Sequence, residues 1–98
     1  MEDNTMDKYL IEVPHEGDRA SCVRAVQVFL TSGSHFVTNA EWGCMDGDHK
    51  AWLIVETDTR EAAMRILPAA YRQNAKITRI NKFTRKDMEE VMLEHHAA

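Results

Sequence analysis

The sequence predicts a small α+β domain in which the elements follow the order β-α-β-β-α-β and a further helix ends the chain. Two observations predict this class. Segments in which apolar and polar residues alternate are interleaved with segments of helical spacing, and turn-forming residues separate them. The length of 98 residues is enough for one domain and not for two. We therefore expect a single domain over residues 8–98, preceded by a flexible arm at residues 1–7.

The first quarter of the chain predicts a strand and then a helix. Residues 8–13 mix aromatic and β-branched side chains with alternating polarity, and Pro14 ends the strand. Asp18 is a suitable N-cap for a helix that runs to about Ser32, because its carboxylate can accept a backbone N–H of the first turn. Gly33 is suited to the end of that helix. The apolar residues of the helix recur at helical spacing: Val23, Val26 and Leu30.

A β-hairpin is predicted next. Residues 36–44 and 49–56 have the composition of strands, and the four residues 45–48 form the loop between them. Pairing Cys44 with His49 at the end of the hairpin sets the register of the two strands.

The remaining sequence predicts a helix and a fourth strand. The helix opens at Asp58 or Thr59, and it ends or kinks at Pro68, because proline lacks the backbone N–H and clashes with the preceding turn. Residues 75–83 predict the fourth strand.

Two local features mark the last part of the chain. Ile77 and Ile80 have opposite parity within the fourth strand, which predicts a bulge or an edge position. Thr84 and Asp87 have the spacing of a capping box, with aspartate in place of the usual glutamate, and predict the start of the C-terminal helix.

The predicted order of elements is that of the ferredoxin-like arrangement. Right-handed crossovers place both central helices on one face of a four-stranded antiparallel sheet. The hairpin register sets Trp42 opposite Ala51, on the helix-facing side together with Leu53, whereas Trp52 and Ile54 point to the other side. An apolar pair on the open face predicts either a partner surface or a cover formed by the C-terminal helix.

Composition and charge exclude several function classes. The net charge is -4, from 12 Lys and Arg against 16 Asp and Glu, and no basic stripe is wide enough to follow nucleic-acid phosphates. No run of about 18 apolar residues is present, so we expect no membrane partner. Residues 1–7 lack the basic and then apolar order of a signal peptide. The two cysteines predict free thiols in the reducing environment of the cytoplasm.

The topology brings histidine and cysteine side chains to one edge of the sheet. The end of the first strand, the start of the first helix and the hairpin meet there. His15, Cys44 and His49 share the helix-facing parity, and Cys22 lies near the buried stripe of the helix. Two imidazoles and one or two thiolates suit tetrahedral zinc or Cu(I). Each residue also has a structural explanation: core packing for Cys22, a pinned hairpin end for Cys44 and His49, and a polar residue after the first strand for His15.

The same edge offers a site without metal. Tyr71 and Arg72 arrive there from the end of the second helix, and Arg72 could bind a carboxylate or phosphate together with backbone N–H groups of the first helix. His15 or His49 would then act as general acid or base. Cys44 could be a nucleophile, although no oxyanion loop is visible in the sequence.

The residues 9–15, Cys22, 42–49 and 75–84 resemble those of a group of small uncharacterised bacterial proteins, and the hairpin from Gly43 to His49 is the most specific piece. The resemblance extends over nearly the whole chain after the arm and implies no settled activity. More distantly, the architecture is similar to the dimeric α+β barrel superfamily, in which two ferredoxin-like domains pack sheet to sheet. That superfamily includes small monooxygenases and muconolactone-isomerase-like enzymes. This similarity implies a homodimer and a ligand between sheet and helices, and no catalytic residue carries over.

Three functions follow from these observations. The leading hypothesis is a protein that binds a small ligand or a transition metal, zinc or copper, through His15, Cys44 and His49, with Cys22 in support. The second is a small cofactor-independent enzyme, of isomerase or monooxygenase type, with its site in the cleft between sheet and helices. The third is a non-catalytic dimerisation module that uses Trp52 and its open face.

Overall fold

Over the described residues the protein has an α+β fold with a four-stranded antiparallel sheet, as the sequence predicts, and with four helices where the sequence predicts three. The structure is a computed structural model, and it describes residues 6–97. The predicted flexible arm therefore lies largely outside the described residues, and the first strand begins one residue before its predicted start. The strands are β1 (Asp7–Pro14), β2 (Glu41–Trp42), β3 (Lys50–Thr57) and β4 (Lys76–Ile80).

The sheet order is β2-β3-β1-β4, and all three pairings are antiparallel. Strand β1 occupies the interior, where it pairs with β3 over its full length and with β4 on its other side. Among the helices of residues 6–97, none is both long enough and apolar enough to cross a membrane. They are α1 (Arg19–Leu30), α2 (His35–Thr38), α3 (Arg60–Ile66) and α4 (Arg85–Ala97), and short 3-10 turns lie at Cys44–Asp46 and Ala69–Tyr71.

The core lies on one face of the sheet, because alternate residues of β1 and β3 point to the same side. Ile11 lies opposite Leu53 on one neighbour and opposite Ile77 on the other, so all three side chains face the helices. Phe29 is the largest fully buried side chain and comes from α1. The remaining core side chains are Tyr9, Val13, Val37, Ala51, Val55, Ala63 and Leu67.

The caps follow the predicted chemistry. The Asp18 carboxylate accepts a hydrogen bond from the Ser21 N–H at 2.9 Å and caps α1. Thr84 and Asp87 form a reciprocal capping box at the start of α4, with distances of 2.9 and 3.0 Å. Helix α3 ends before Pro68, with the chain already extended at its C-cap. These ends are predictable because each depends on residues close in sequence.

The predicted strand at residues 36–44 is wrong over most of its length. The chain forms α2 instead, with the Thr38 N–H donating to the Ser34 carbonyl at 2.9 Å, and only Glu41–Trp42 remains a strand. A helical turn buries Val37, which is 1% exposed, although β-branched residues favour strands. The short strand keeps the predicted register, with Trp42 opposite Ala51.

Apolar and polar residues alternate poorly in β4 because its two isoleucines face opposite sides of the sheet. Ile77 lies opposite Ile11 and faces the core, whereas Ile80 lies opposite Lys8 on the other face. The strand is at the edge of the sheet, which is one of the two predicted alternatives.

The open face of the sheet carries apolar side chains that the rest of the described chain leaves accessible. Ile54 is 55% exposed and lies opposite Leu10, and Trp52 is half-buried beside them. Helix α4 does not cover this face, since Met88 and Met92 on the described part of the helix are themselves exposed. The alternative of a cover formed by the C-terminal helix is therefore not observed, and the sheet face and the helix each present unpartnered apolar surface.

Candidate metal centre

Two segments of backbone bring His15 and the hairpin together. His15 follows the last residue of β1, and its N–H donates to the His49 carbonyl at 3.1 Å. His49 immediately precedes β3, whose first residue, Lys50, lies opposite Pro14. The hydrogen bond therefore continues the pairing of β1 with β3 by one step, and it holds the two histidines side by side.

The hairpin that carries Cys44 is a tight and internally bonded turn. The Gly43 N–H donates to the Lys50 carbonyl at 3.1 Å, and the Asp48 N–H donates back to the Gly43 carbonyl at 2.9 Å. Gly47 has a φ of 85°, in the left-handed region that glycine adopts without strain. These bonds fix the backbone on both sides of Cys44, so its side chain projects from an ordered 3-10 turn.

Gly43 permits a close approach that no other residue would allow. A Cβ at this position would lie 2.7 Å from the Asp48 carbonyl oxygen and 2.7 Å from the Trp52 ring. Both distances are far inside van der Waals contact. Glycine is therefore required for the hairpin to close over Trp52 while presenting Cys44 on the other side.

The side chains of His15, Cys44 and His49 form one cluster. One ligand atom from each residue lies within 4.8 Å of the other two. The closest pair is the Cys44 Sγ and the His15 Nε2, which are 3.1 Å apart. The two imidazole rings meet edge to face, with centroids 5.7 Å apart and an interplanar angle of 82°.

Electrostatics favour the neutral forms of Cys44 and His15. Burial, followed by the neighbouring Cys22 thiol, raises the pKa of Cys44 to about 11. Burial, followed by His49, lowers the pKa of His15, and Asp18 opposes that shift. At pH 7 the neutral thiol of Cys44 and the neutral imidazole of His15 therefore share a hydrogen bond. A catalytic cysteine needs a thiolate, so these directions do not favour a nucleophile.

Each histidine has one ring nitrogen without a partner. The Nδ1 atoms of His15 and His49 are both buried and form no hydrogen bond with the described residues. A buried polar atom without a partner is costly, and such atoms commonly mark a site that another species completes. Hydrogen bonds that fix the loop therefore do not explain both histidines fully, because a buried nitrogen of each ring has no such bond.

The dimensions of the cluster suit a small metal ion after a modest contraction. In tetrahedral zinc, bonds of about 2.3 Å to sulfur and about 2.05 Å to nitrogen separate adjacent sulfur and nitrogen ligands by about 3.6 Å. The 3.1 Å pair would open slightly, and any pair near the 4.8 Å limit would close by at most about 1.5 Å. Side-chain rotations can supply such shifts. Three protein ligands would leave a fourth position open.

Cys22 lies beside this cluster and not within it. The neighbouring Cys22 thiol contributes to the raised pKa of Cys44, yet Cys22 does not belong to the group of ligand atoms that lie within 4.8 Å of one another. Three of the four side chains predicted at the metal site thus come together, and the fourth is a neighbour of one of them.

Tyr71 and Arg72 occupy different surroundings. The Tyr71 ring packs edge to face on Phe29 and borders a small cavity next to His15. Arg72 donates from Nε to the Leu67 carbonyl at 2.9 Å, and a second donor reaches the Arg65 carbonyl at 3.1 Å. It therefore caps the end of α3 and is not among the residues that line the cavity.

At the start of α1, where an anion site is predicted, Asp18 of the protein itself accepts backbone N–H groups. Asp18 accepts the Ser21 N–H through its carboxylate and the Cys22 N–H through its carbonyl. The cation that borders the cavity is Arg24. Helical spacing was the available signal, because Arg24 lies one turn after Ser21 on the same helix.

Comparison of the chain with protein-family models, with curated proteins and with solved structures finds no match. The resemblance of the hairpin to that of small bacterial proteins therefore stays a prediction. The chemistry of His15, Cys44 and His49 is the basis on which a function can be inferred.

Proposed function

We propose that this protein binds a transition metal, zinc or Cu(I), through His15, Cys44 and His49. The observation that supports the proposal is the convergence of one sulfur and two imidazole nitrogens within 4.8 Å at the end of a hydrogen-bonded hairpin. Thiolate and imidazole are ligands that both ions prefer. The Nε2 atom of His15 is the ring nitrogen that lies next to the Cys44 sulfur, so this pair of atoms is already placed as two neighbouring ligands would be.

The number of ligands limits what the centre could do. Three protein ligands match the three-coordinate geometry of Cu(I), and they match zinc with one exchangeable position. Cys44 must lose its proton on binding, because the thiolate and not the thiol is the ligand. The proposed role is metal binding in a reducing compartment such as the cytoplasm, where Cys22 and Cys44 stay free as they are in this structure.

The apparent affinity for Zn²⁺ should rise about tenfold for each pH unit between pH 7 and 9. The raised pKa of Cys44, about 11, means that one proton is displaced by the metal throughout this range. His15 adds no proton there, because its pKa is lowered and its ring is already neutral. Competition with a chromophoric chelator at several pH values, corrected for zinc hydrolysis, measures the slope.

Two variants test whether the proton behind this pH dependence comes from Cys44. Cys22→Ser should retain it, because Cys22 lies outside the group of three ligand atoms. Cys44→Ser should flatten it, since a serine hydroxyl does not release its proton in this range. A slope in the wild-type protein that levels off near pH 8.5, the pKa of an ordinary cysteine, would contradict the burial of Cys44.

We further propose the complete ferredoxin-like topology and the resemblance to small bacterial proteins of that class. The sheet order β2-β3-β1-β4 supports the topology, because the two strands of each β-α-β half are separated by one strand of the other half, as the split β-α-β arrangement requires.

A second proposal concerns the open face of the sheet, which we infer to be the interface of a homodimer packed sheet to sheet. A groove of about 530 Å³ lies on this face, bordered by Leu10, Trp52 and Ile54. Charged residues flank the apolar centre, with Glu12 and Glu41 opposite Trp52. A contiguous apolar surface with a polar rim is typical of protein interfaces.

Sedimentation velocity tests the dimer directly. We expect the wild-type protein to sediment as a dimer at micromolar concentration, and Trp52→Glu to sediment as a monomer because a charge would be buried at the interface. Met45→Glu is the matched control, since Met45 is fully exposed on the hairpin. A wild-type monomer at 100 micromolar would exclude the proposal.

A further inference from the structure

A second concave site borders His15 and uses none of the other metal ligands. It is a cavity of about 220 Å³ between the first turns of α1 and the segment that follows α3. Most of its lining is polar. The residues that matter for its chemistry are His15, Glu16, Arg24, Tyr71, Gln73 and Asn74.

Two exposed side chains of opposite charge line the cavity. Glu16 and Arg24 both line it, and within the described residues they form no ion pair with one another. Neither side chain makes a hydrogen bond to a side chain of residues 6–93. A singly charged molecule would pair with one of these groups and leave the other in solvent. A molecule that carries both charges would satisfy both.

The remaining polar groups are neutral donors and acceptors. Tyr71 supplies a phenolic hydroxyl, and Gln73 and Asn74 supply amides. The volume corresponds to about seven water molecules at about 30 Å³ each. It is below the range of roughly 300–1,000 Å³ that drug-sized ligands and cofactors occupy. The cavity therefore fits a small polar molecule.

We propose that this cavity binds a free α-amino acid. Arg24 pairs with the α-carboxylate, and Glu16 pairs with the α-ammonium group. Tyr71, Gln73 and Asn74 contact the amino-acid side chain. The site goes beyond the metal proposal and does not depend on it, although His15 borders both sites.

Binding is tested on the full-length, metal-free protein at pH 7. Glycine, L-serine and L-glutamine are titrated separately while the carbon–proton resonances of the His15 ring are followed by NMR. We expect saturable shifts of the His15 resonances with at least one of the three, with a dissociation constant on the order of 1 mM or below. Absence of a saturable shift with all three overturns the proposal.

Two chemical controls separate a zwitterion site from an ordinary polar pocket. The N-acetyl derivative of the amino acid that binds lacks the ammonium group, and its amide derivative lacks the carboxylate. Both should bind about tenfold more weakly, because each loses one charge-assisted contact. Equal binding by either derivative would show that the charge pair is not the recognition element and would overturn the assignment.

Two variants test which residues supply the charged contacts to the amino acid. Arg24→Gln and Glu16→Gln should each weaken amino-acid binding about tenfold. Arg19→Gln is the matched control on the same helix, because Arg19 does not line the cavity, and it should bind as the wild type does. Wild-type affinity in Arg24→Gln overturns the proposal. Cys44→Ser should retain amino-acid binding, so failure of the metal site and failure of this site are separate results.

Discussion

Replacing Cys44 with serine should lower the affinity of the protein for Zn²⁺ by about a thousandfold, which corresponds to about 4 kcal/mol. The serine hydroxyl stays protonated and offers a weak ligand in place of the only sulfur within the group of three. Two imidazoles alone hold a metal far less tightly than two imidazoles and a thiolate. Competition with a chelator of known affinity at pH 7.5 measures the change.

The adjacent cysteine supplies the control for this experiment. Cys22→Ser should change the zinc affinity less than tenfold, because Cys22 acts on Cys44 and lies outside the ligand group. If Cys22→Ser loses as much affinity as Cys44→Ser, the centre has four protein ligands and the three-residue site is wrong. If Cys44→Ser binds zinc as tightly as the wild type, the metal proposal itself is wrong. Circular dichroism of both variants verifies that the fold is retained.

Replacing Phe29 with alanine should lower the free energy of unfolding by about 3–5 kcal/mol. Phe29 is 1% exposed, and its ring packs edge to face on Trp42 at 5.0 Å and on Tyr71 at 5.6 Å. Removal leaves a cavity between α1 and the hairpin that neither ring can fill. For a domain whose total stability is about 5–15 kcal/mol, the loss is a large fraction, and urea unfolding monitored by tryptophan fluorescence measures it.

The next residue of the same helix provides the comparison. Leu30 is 57% exposed, so Leu30→Ala truncates a side chain that largely faces solvent, at a cost of less than about 1 kcal/mol. Equal destabilisation by the two variants would show that α1 is rotated relative to this structure. Because Trp42 also contacts His15 edge to face, at 5.8 Å, Phe29→Ala should weaken zinc binding as well.

The parts of the fold that the sequence predicted correctly depend on local chemistry. Asp18 caps α1, the capping box opens α4, and Trp42 lies opposite Ala51 because the loop length of the hairpin sets the register. Residues 36–44 were assigned to a strand because their side chains favour one. Part of this segment forms a helical turn instead, because the turn buries Val37 in the core. No local sequence pattern predicts that burial.

The residues of the candidate site were likewise predicted only in part. Parity along β1 and across the hairpin brought His15 and His49 to one side, and backbone pairing holds them there. Parity gives a face and not a distance, so it could not separate Cys44, within the cluster, from Cys22 beside it. Arg72 was predicted to bind a ligand, whereas its side chain donates to the Leu67 and Arg65 carbonyls. These carbonyls are free to accept because α3 ends there.

The main-chain bond between His15 and His49 has a consequence for folding. A metal held by these residues would tie together the two ends of residues 15–49, a segment that contains α1, α2 and β2. Such a tie acts as a removable cross-link, because it lowers the entropy of the unfolded chain by closing a long loop. Metal loading should therefore slow amide hydrogen exchange throughout that segment, most of which never touches the ion, and leave β4 and α4 comparatively unprotected.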